Sequence, residues 1–165
     1  AIITRWLGPA FADGRDLDAR YYMALGSLMS GMVLSNAGTS LVHAMAYPIG
    51  GEYHTSHGIT LSAILLACFE GILVAKQEKM VLLAEAMGEP VDGIPEREGA
   101  RRVLDAIRHL LESVGLPTSL GDLNITDKTK IPRWAVEAHK EQRLLSRSPR
   151  VLSVQDIEKI YERAF

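Results

Sequence analysis

The sequence predicts an all-α protein, and three observations carry that expectation. No stretch keeps the period-two alternation of a half-buried strand. Several stretches keep apolar residues at the 3.6-residue spacing of a helix with one buried face. Glycines and prolines punctuate the ends of those stretches, as at Gly88, Pro90, Gly115 and Pro117. About seven helices are expected, in a single domain spanning residues 1–165.

Each element has its own warrant. Residues 1–8 read as a short helix closed by Gly8 and Pro9. Asp16 is placed to cap a long helix reaching about Leu34, with Leu17, Tyr21, Ala24, Leu25, Leu28 and Met32 as its inner stripe. Gly26, Ser27, Ser30 and Gly31 are small enough to let a neighbouring helix come close. Ser35 to Gly38 breaks this helix, and Thr39 or Ser40 can cap the next one, which runs through Leu41 to Tyr47 until Pro48 kinks or ends it. Gly50 and Gly51 then supply a turn, and an apolar helix covers 59–75. A helix over about Gln77 to Met87 and a strongly amphipathic one carrying Val103, Leu104, Ile107, Leu110, Leu111 and Val114 follow. Pro132 is tolerated in the first turn of a helix over about 131–143. Ser153 and Asp156 form a box-like start to the last helix, whose inner face is Ile157, Ile160, Tyr161 and Ala164.

The totals exclude some functions. The formal net charge is −2 and no basic block occurs, so neither nucleic acid nor an anionic membrane surface has a footprint to grip. Cys68 is alone, which rules out an intrachain disulfide and fits a reducing, cytoplasmic setting. The apolar run 59–75 contains Glu70 and falls short of the roughly 20 residues a bilayer requires, so it reads as a core helix. The chain does not begin with Met and opens directly on an apolar helical stretch, as a piece of a longer protein would.

Chemistry concentrates between Asn36 and Gly58, where His43, His54 and His57 lie within fifteen residues. Neutral imidazole is a ligand for divalent Fe, Zn, Ni or Mn, and a helix–bend–helix arrangement can bring two such side chains together. Spacing alone leaves two readings open: a metal site built from any of these three residues, or histidines satisfied by hydrogen bonds near helix ends. Glu52, the only carboxylate in the bend, reads as a solvated turn residue. His109 and His139 lie in polar runs and read as surface residues.

The run Ser35-Asn36-Ala37-Gly38, then Val42-His43-Ala44-Met45-Ala46-Tyr47-Pro48-Ile49-Gly50, then Tyr53-His54-Thr55-Ser56-His57-Gly58, resembles the C-terminal domain of the iron-containing (group III) alcohol dehydrogenases. Ser148-Pro149-Arg150 and the helix after it resemble that family's ending, and the likeness covers essentially the whole chain. The resemblance implies the helical half of a dehydroquinate synthase-like, two-domain fold whose N-terminal α/β domain binds NAD(P). It implies Fe2+, or Zn2+, held by His43 and His57 together with an Asp and a His upstream of Ala1. It implies a small alcohol or aldehyde substrate, the missing nucleotide-binding domain as a partner, and assembly into a homo-oligomer. The fragment alone is then expected to be inactive. Tyr47 stands where many members carry a second histidine near the nicotinamide, so it is expected at the cofactor while a histidine proton relay does not carry over. Ser148 replaces the Asn of the ending motif. His54 is expected near substrate, as in branches acting on hydroxy acids. Two alternatives are a helical interaction domain with structural histidines and a relative from the glycerol dehydrogenase or dehydroquinate synthase group.

Overall fold

A computed structural model describes residues 1–165, and it is built of helices joined by short turns. The helices are α1 (Ile2–Ala12), α2 (Leu17–Ala37), α3 (Leu41–Tyr53), α4 (His57–Ile72), α5 (Gln77–Ala86), α6 (Glu96–Ser113), α7 (Ile131–Lys140), α8 (Gln142–Leu145) and α9 (Val154–Arg163). The all-α expectation holds, with nine helices rather than about seven. The stretch expected as one helix over 131–143 divides at Glu141, whose ψ of 54° leaves the helical region. The chain separates into two compact units: Ala1–Gly38 with Gln77–Gly115, and Thr39–Lys76 with Leu116–Phe165.

In the first unit α1 lies on α2 and α5 on α6. Asp16 caps α2 as expected, accepting from the Ala19 amide at 2.9 Å. Of the four small residues on α2 only Gly26 is buried: a Cβ there would come within 2.9 Å of Ile3 Cγ1. Trp6 stacks on Tyr22 with ring centres 4.6 Å apart. The stripe expected to face inward does not. Leu17, Tyr21, Leu28 and Met32 are all exposed, because α1 packs on the side of Ala19 and Gly26 instead. Helix α1 also passes through Gly8 and Pro9 to Ala12. Pro9 sits on an exposed side of α1, where the one N–H it lacks costs little that water does not make good. The amphipathic helix α6 behaves as its pattern predicts, burying Val103, Ile107 and Leu111 while Arg101, Asp105, Arg108 and Glu112 remain in solvent.

The second unit holds a continuous hydrophobic core. α3 and α4 pack against each other, α7 lies on α3, and α9 closes over α4 and α7. α4 and the 3-10 turn after it are long and apolar enough by composition to span a membrane. Their Ile64, Ala67, Cys68 and Leu73 are instead buried, most of them in this core. Trp134 and Tyr161, both fully buried, stand at its centre with ring centres 5.7 Å apart. Burying aromatic side chains of this size supplies several kcal/mol each. Cys68 Sγ lies 3.6 Å from Met45 Sδ, and burial pushes its thiol far above the usual range.

Helix α3 corrects two expectations. It continues past Pro48 through Gly50 and Gly51 to Tyr53, and the turn falls at His54, in the left-handed region at φ 52°. Pro48 has no N–H for the Ala44 carbonyl. One residue on, the Met45 carbonyl accepts the Tyr161 hydroxyl at 2.6 Å, and this tertiary bond helps the irregular turn persist inside the core. Ser40 occupies the N-cap position of α3, but its buried hydroxyl caps nothing and has no partner. At the other end of the unit the capping box of α9 forms as expected: Ser153 Oγ accepts from the Asp156 amide at 3.2 Å, and Asp156 Oδ2 from the Ser153 amide at 3.0 Å.

Gly71 of α4 is where α9 comes closest, since a Cβ there would lie 2.6 Å from Ile160 Cδ1. Gly71→Ala is therefore expected to destabilise the protein by about 1–3 kcal/mol. Gly8→Ala, with nothing within 4 Å, should be neutral or stabilising by up to about 1 kcal/mol. Ser153→Ala should cost about 1–2 kcal/mol through the lost cap. Urea midpoints of the three variants check all three expectations.

Candidate metal centre

Two of the three histidines of the helix–bend–helix unit meet. His43, in the first turn of α3, and His57, the first residue of α4, lie with ring centres 5.2 Å apart and planes tilted by 58°. The path between them is fixed locally. Thr55 and Thr60 share a hydroxyl hydrogen bond of 2.6 Å across the turn, and Thr60 Oγ1 also donates to the Ser56 carbonyl at 3.0 Å. Gly50 approaches the same place, with room for its absent Cβ 3.9 Å from Thr60 Oγ1.

His43 is half-buried and His57 exposed. Partial desolvation, reinforced by the neighbouring His57, holds the His43 imidazole below its ordinary pKa. It is therefore neutral at pH 7, the state that has a lone pair to offer a metal. Two imidazoles binding one ion at about 2.0–2.1 Å each set their ligating nitrogens a few ångströms apart, a spacing these neighbouring rings allow. No third histidine, cysteine or carboxylate joins them. The donors fit a divalent metal in chemistry and make up half of the four-ligand set usual for such an ion.

Tyr47 stands one turn after His43 on α3, with its ring centre 6.4 Å from that of His57 and its side chain 44% exposed. A cleft of about 520 Å³ opens beside it, lined by Tyr47, Gly51 and Glu52 of α3 and by Arg133 and Glu137 of α7. His54 is exposed and forms the left-handed end of α3; it does not join His43 and His57 in a cluster of three.

Glu52 departs most from its sequence reading. It is a helical residue, not a solvated turn. Its carboxylate accepts Trp134 Nε1 at 2.9 Å, pairs with Lys130 Nζ at 2.5 Å and is bound by Arg133. Hydrogen bonds from Lys130 and Trp134 hold its pKa below the usual carboxylate value, and the Glu52 hydrogen bond raises that of Lys130. The signal for this cluster was the spacing of Lys130, Arg133 and Trp134 at the start of α7, which puts three donors on neighbouring positions of one turn.

The family model described as "Fe-containing alcohol dehydrogenase family, C-terminal" matches residues 1–165, and the chain belongs to that family. Long-chain-alcohol dehydrogenase 1 of Geobacillus thermodenitrificans (strain NG80-2) is 35% identical over 164 residues, covering 99% of this chain and 41% of that protein. The 1,3-propanediol dehydrogenase of Klebsiella pneumoniae is 36% identical, with 99% of this chain and 42% of that protein covered. Among solved structures, a 1,3-propanediol oxidoreductase superposes with a TM-score of 0.94 at 36% identity, over 99% of this chain and 42% of that one. The chain thus spans about two fifths of the length of these relatives.

Because His43 is held below its unfolded pKa, the folded chain binds fewer protons than the unfolded one as pH falls through the histidine range. The associated stability is fully present above about pH 6.5 and is lost below it. In chelator-treated protein, His43→Gln should therefore show a smaller loss of urea midpoint between pH 7.5 and 5.5 than wild type; equal losses would count against the shift.

Proposed function

We propose that this chain supplies His43 and His57 as two of the ligands of a divalent metal, iron or zinc, in an NAD(P)-dependent alcohol dehydrogenase. The observation that carries the reading is the pairing of the two imidazoles across the α3–α4 turn, with His43 kept neutral by its surroundings. Family membership supports the reaction class, and the relatives' names support small alcohols or aldehydes as substrates. The remaining ligands and the nucleotide-binding residues come from an N-terminal part like that which makes up the rest of the relatives.

When bound, such an ion supplies Lewis acidity to the alcohol or carbonyl oxygen of the substrate, and the nicotinamide supplies the hydride exchange. The chain's own residues do the positioning. His43 offers its lone pair from a partly desolvated helix face. His57 offers its own from the first turn of α4, where the Thr55–Thr60 bond steadies the backbone. Tyr47 presents a phenol beside the same pair, where it can donate a hydrogen bond to cofactor or substrate. His54, exposed at the end of α3, is assigned to the substrate pocket on the family resemblance, where it would meet a carboxylate should the alcohol be a hydroxy acid. The buried free thiol of Cys68 suits a reducing, cytoplasmic setting.

The 165-residue chain by itself is expected to show no NAD(P)-linked oxidation of alcohols, and steady turnover by the purified chain would refute the half-site. Anaerobic calorimetry with Fe2+ or Zn2+ should show weak binding that His43→Ala and His57→Ala each abolish. Tight binding indifferent to both substitutions would place the metal elsewhere.

A further inference from the structure

Helix α3 carries the candidate site on one side and its fastenings on the other. His43 and Tyr47, one turn apart, share the outer side. Met45 and Glu52 are separated by seven residues, two turns, so both lie on the inner side of α3, away from His43; Met45 is buried in the core, and Glu52 is partly exposed at its rim, beside the cleft. Two polar ties hold that inner side. Tyr161 donates to the Met45 carbonyl at 2.6 Å near the middle of the helix, and Glu52 receives Trp134, Lys130 and Arg133 near its end.

The Glu52 tie stands where helix physics argues against it. A carboxylate in the last turn of a helix faces the negative end of the macrodipole, so its three donors offset that cost. Trp134 is fully buried, and Glu52 is the acceptor of its indole N–H. Charge-assisted hydrogen bonds are directional, so three donors converging on one carboxylate favour one setting of the end of α3. The geometry specified here lies immediately before the site. Tyr53 ends α3, His54 turns the chain at φ 52°, and His57 follows three residues later.

We propose that Glu52 is a positioning residue for the His43/His57 pair: bound by Trp134, Lys130 and Arg133, it fixes the rotational setting of α3 and the direction in which the chain leaves it toward His57. This rests on the reading of the two histidines as metal ligands. Glu52 acts through the helix and the turn, and touches neither imidazole nor ion.

The test is anaerobic titration of the 165-residue chain with Co2+, followed by calorimetry and by visible absorption, with thermal melting measured in parallel. Glu52→Leu is expected to weaken Co2+ binding by about threefold or more, since a misaimed ligand pair binds less well, and to alter the visible spectrum. Glu52→Gln, which keeps an acceptor for Trp134, should recover part of that loss. Glu112→Gln, at an exposed position of α6, should bind as wild type does. Wild-type affinity and spectrum in both Glu52 variants, even with a lowered melting temperature, would reduce Glu52 to a stabilising residue and overturn the proposal. Should Glu52→Leu not fold, Glu52→Gln decides: unchanged affinity overturns the proposal, and a loss of threefold or more supports it. A wild-type chain whose Co2+ binding is untouched by His43→Ala would instead refute the metal-ligand reading itself.

Discussion

The second unit depends on how α3 is held against its neighbours. Its inner side is Leu41, Met45 and Ile49, all essentially without solvent contact, set against Trp134 of α7 and Tyr161 of α9. Apolar packing of this kind is strong and tolerant of small rotations, because dispersion has little directionality. The hydroxyl of Tyr161 and the indole N–H of Trp134 add direction: each must reach one particular oxygen on α3, since a buried donor left unpaired is costly. Helix α3 can therefore hold an internal proline and still present His43 in a fixed direction.

The turn between the two histidines shows how a flexible-looking sequence becomes a defined bend. Two glycines, a proline and several hydroxyl residues would suit a mobile loop. In the structure the glycines belong to the helix, and Thr55 and Thr60 bind each other across the bend. Left-handed backbone is taken by His54, a residue type more tolerant of it than β-branched ones. The imidazoles are thereby brought together across a bend that short-range hydrogen bonds steady, and partial desolvation, with the neighbouring His57 second, holds His43 below its ordinary pKa.

Much of this was legible in the sequence. The all-α class, the amphipathic face of α6, the Asp16 cap and the capping box of α9 follow from local periodicity and local hydrogen-bonding chemistry, which the sequence displays directly. The spacing of His43 and His57 admitted their meeting without requiring it; the resemblance to a known family singled them out from His54. Three features were not legible, each for a tertiary reason. Pro48 read as a kink or an end, and Pro9 as an end, because propensity says nothing of a Tyr161 hydroxyl arriving from over a hundred residues away or of a solvated helix face. The stripe on α2 read as core because an apolar face is visible in sequence while the neighbour that covers it is not. Glu52 read as solvated because its partners lie in α7, some eighty positions further on.

The close approach at Gly71 has a consequence for how this sequence can vary. A methyl there meets two carbons of Ile160, so the positions are not free to change one at a time. A larger residue at 71 becomes acceptable only where 160 has been trimmed, and the two substitutions then combine non-additively. Position 71 also accepts Arg150 Nη1 on its carbonyl at 3.1 Å, and Arg150 in turn binds Asp156 in the first turn of α9. Drift at this one glycine would thus be felt at Arg150 and along the last helix, and Gly71, Arg150, Asp156 and Ile160 form a single linked set of positions.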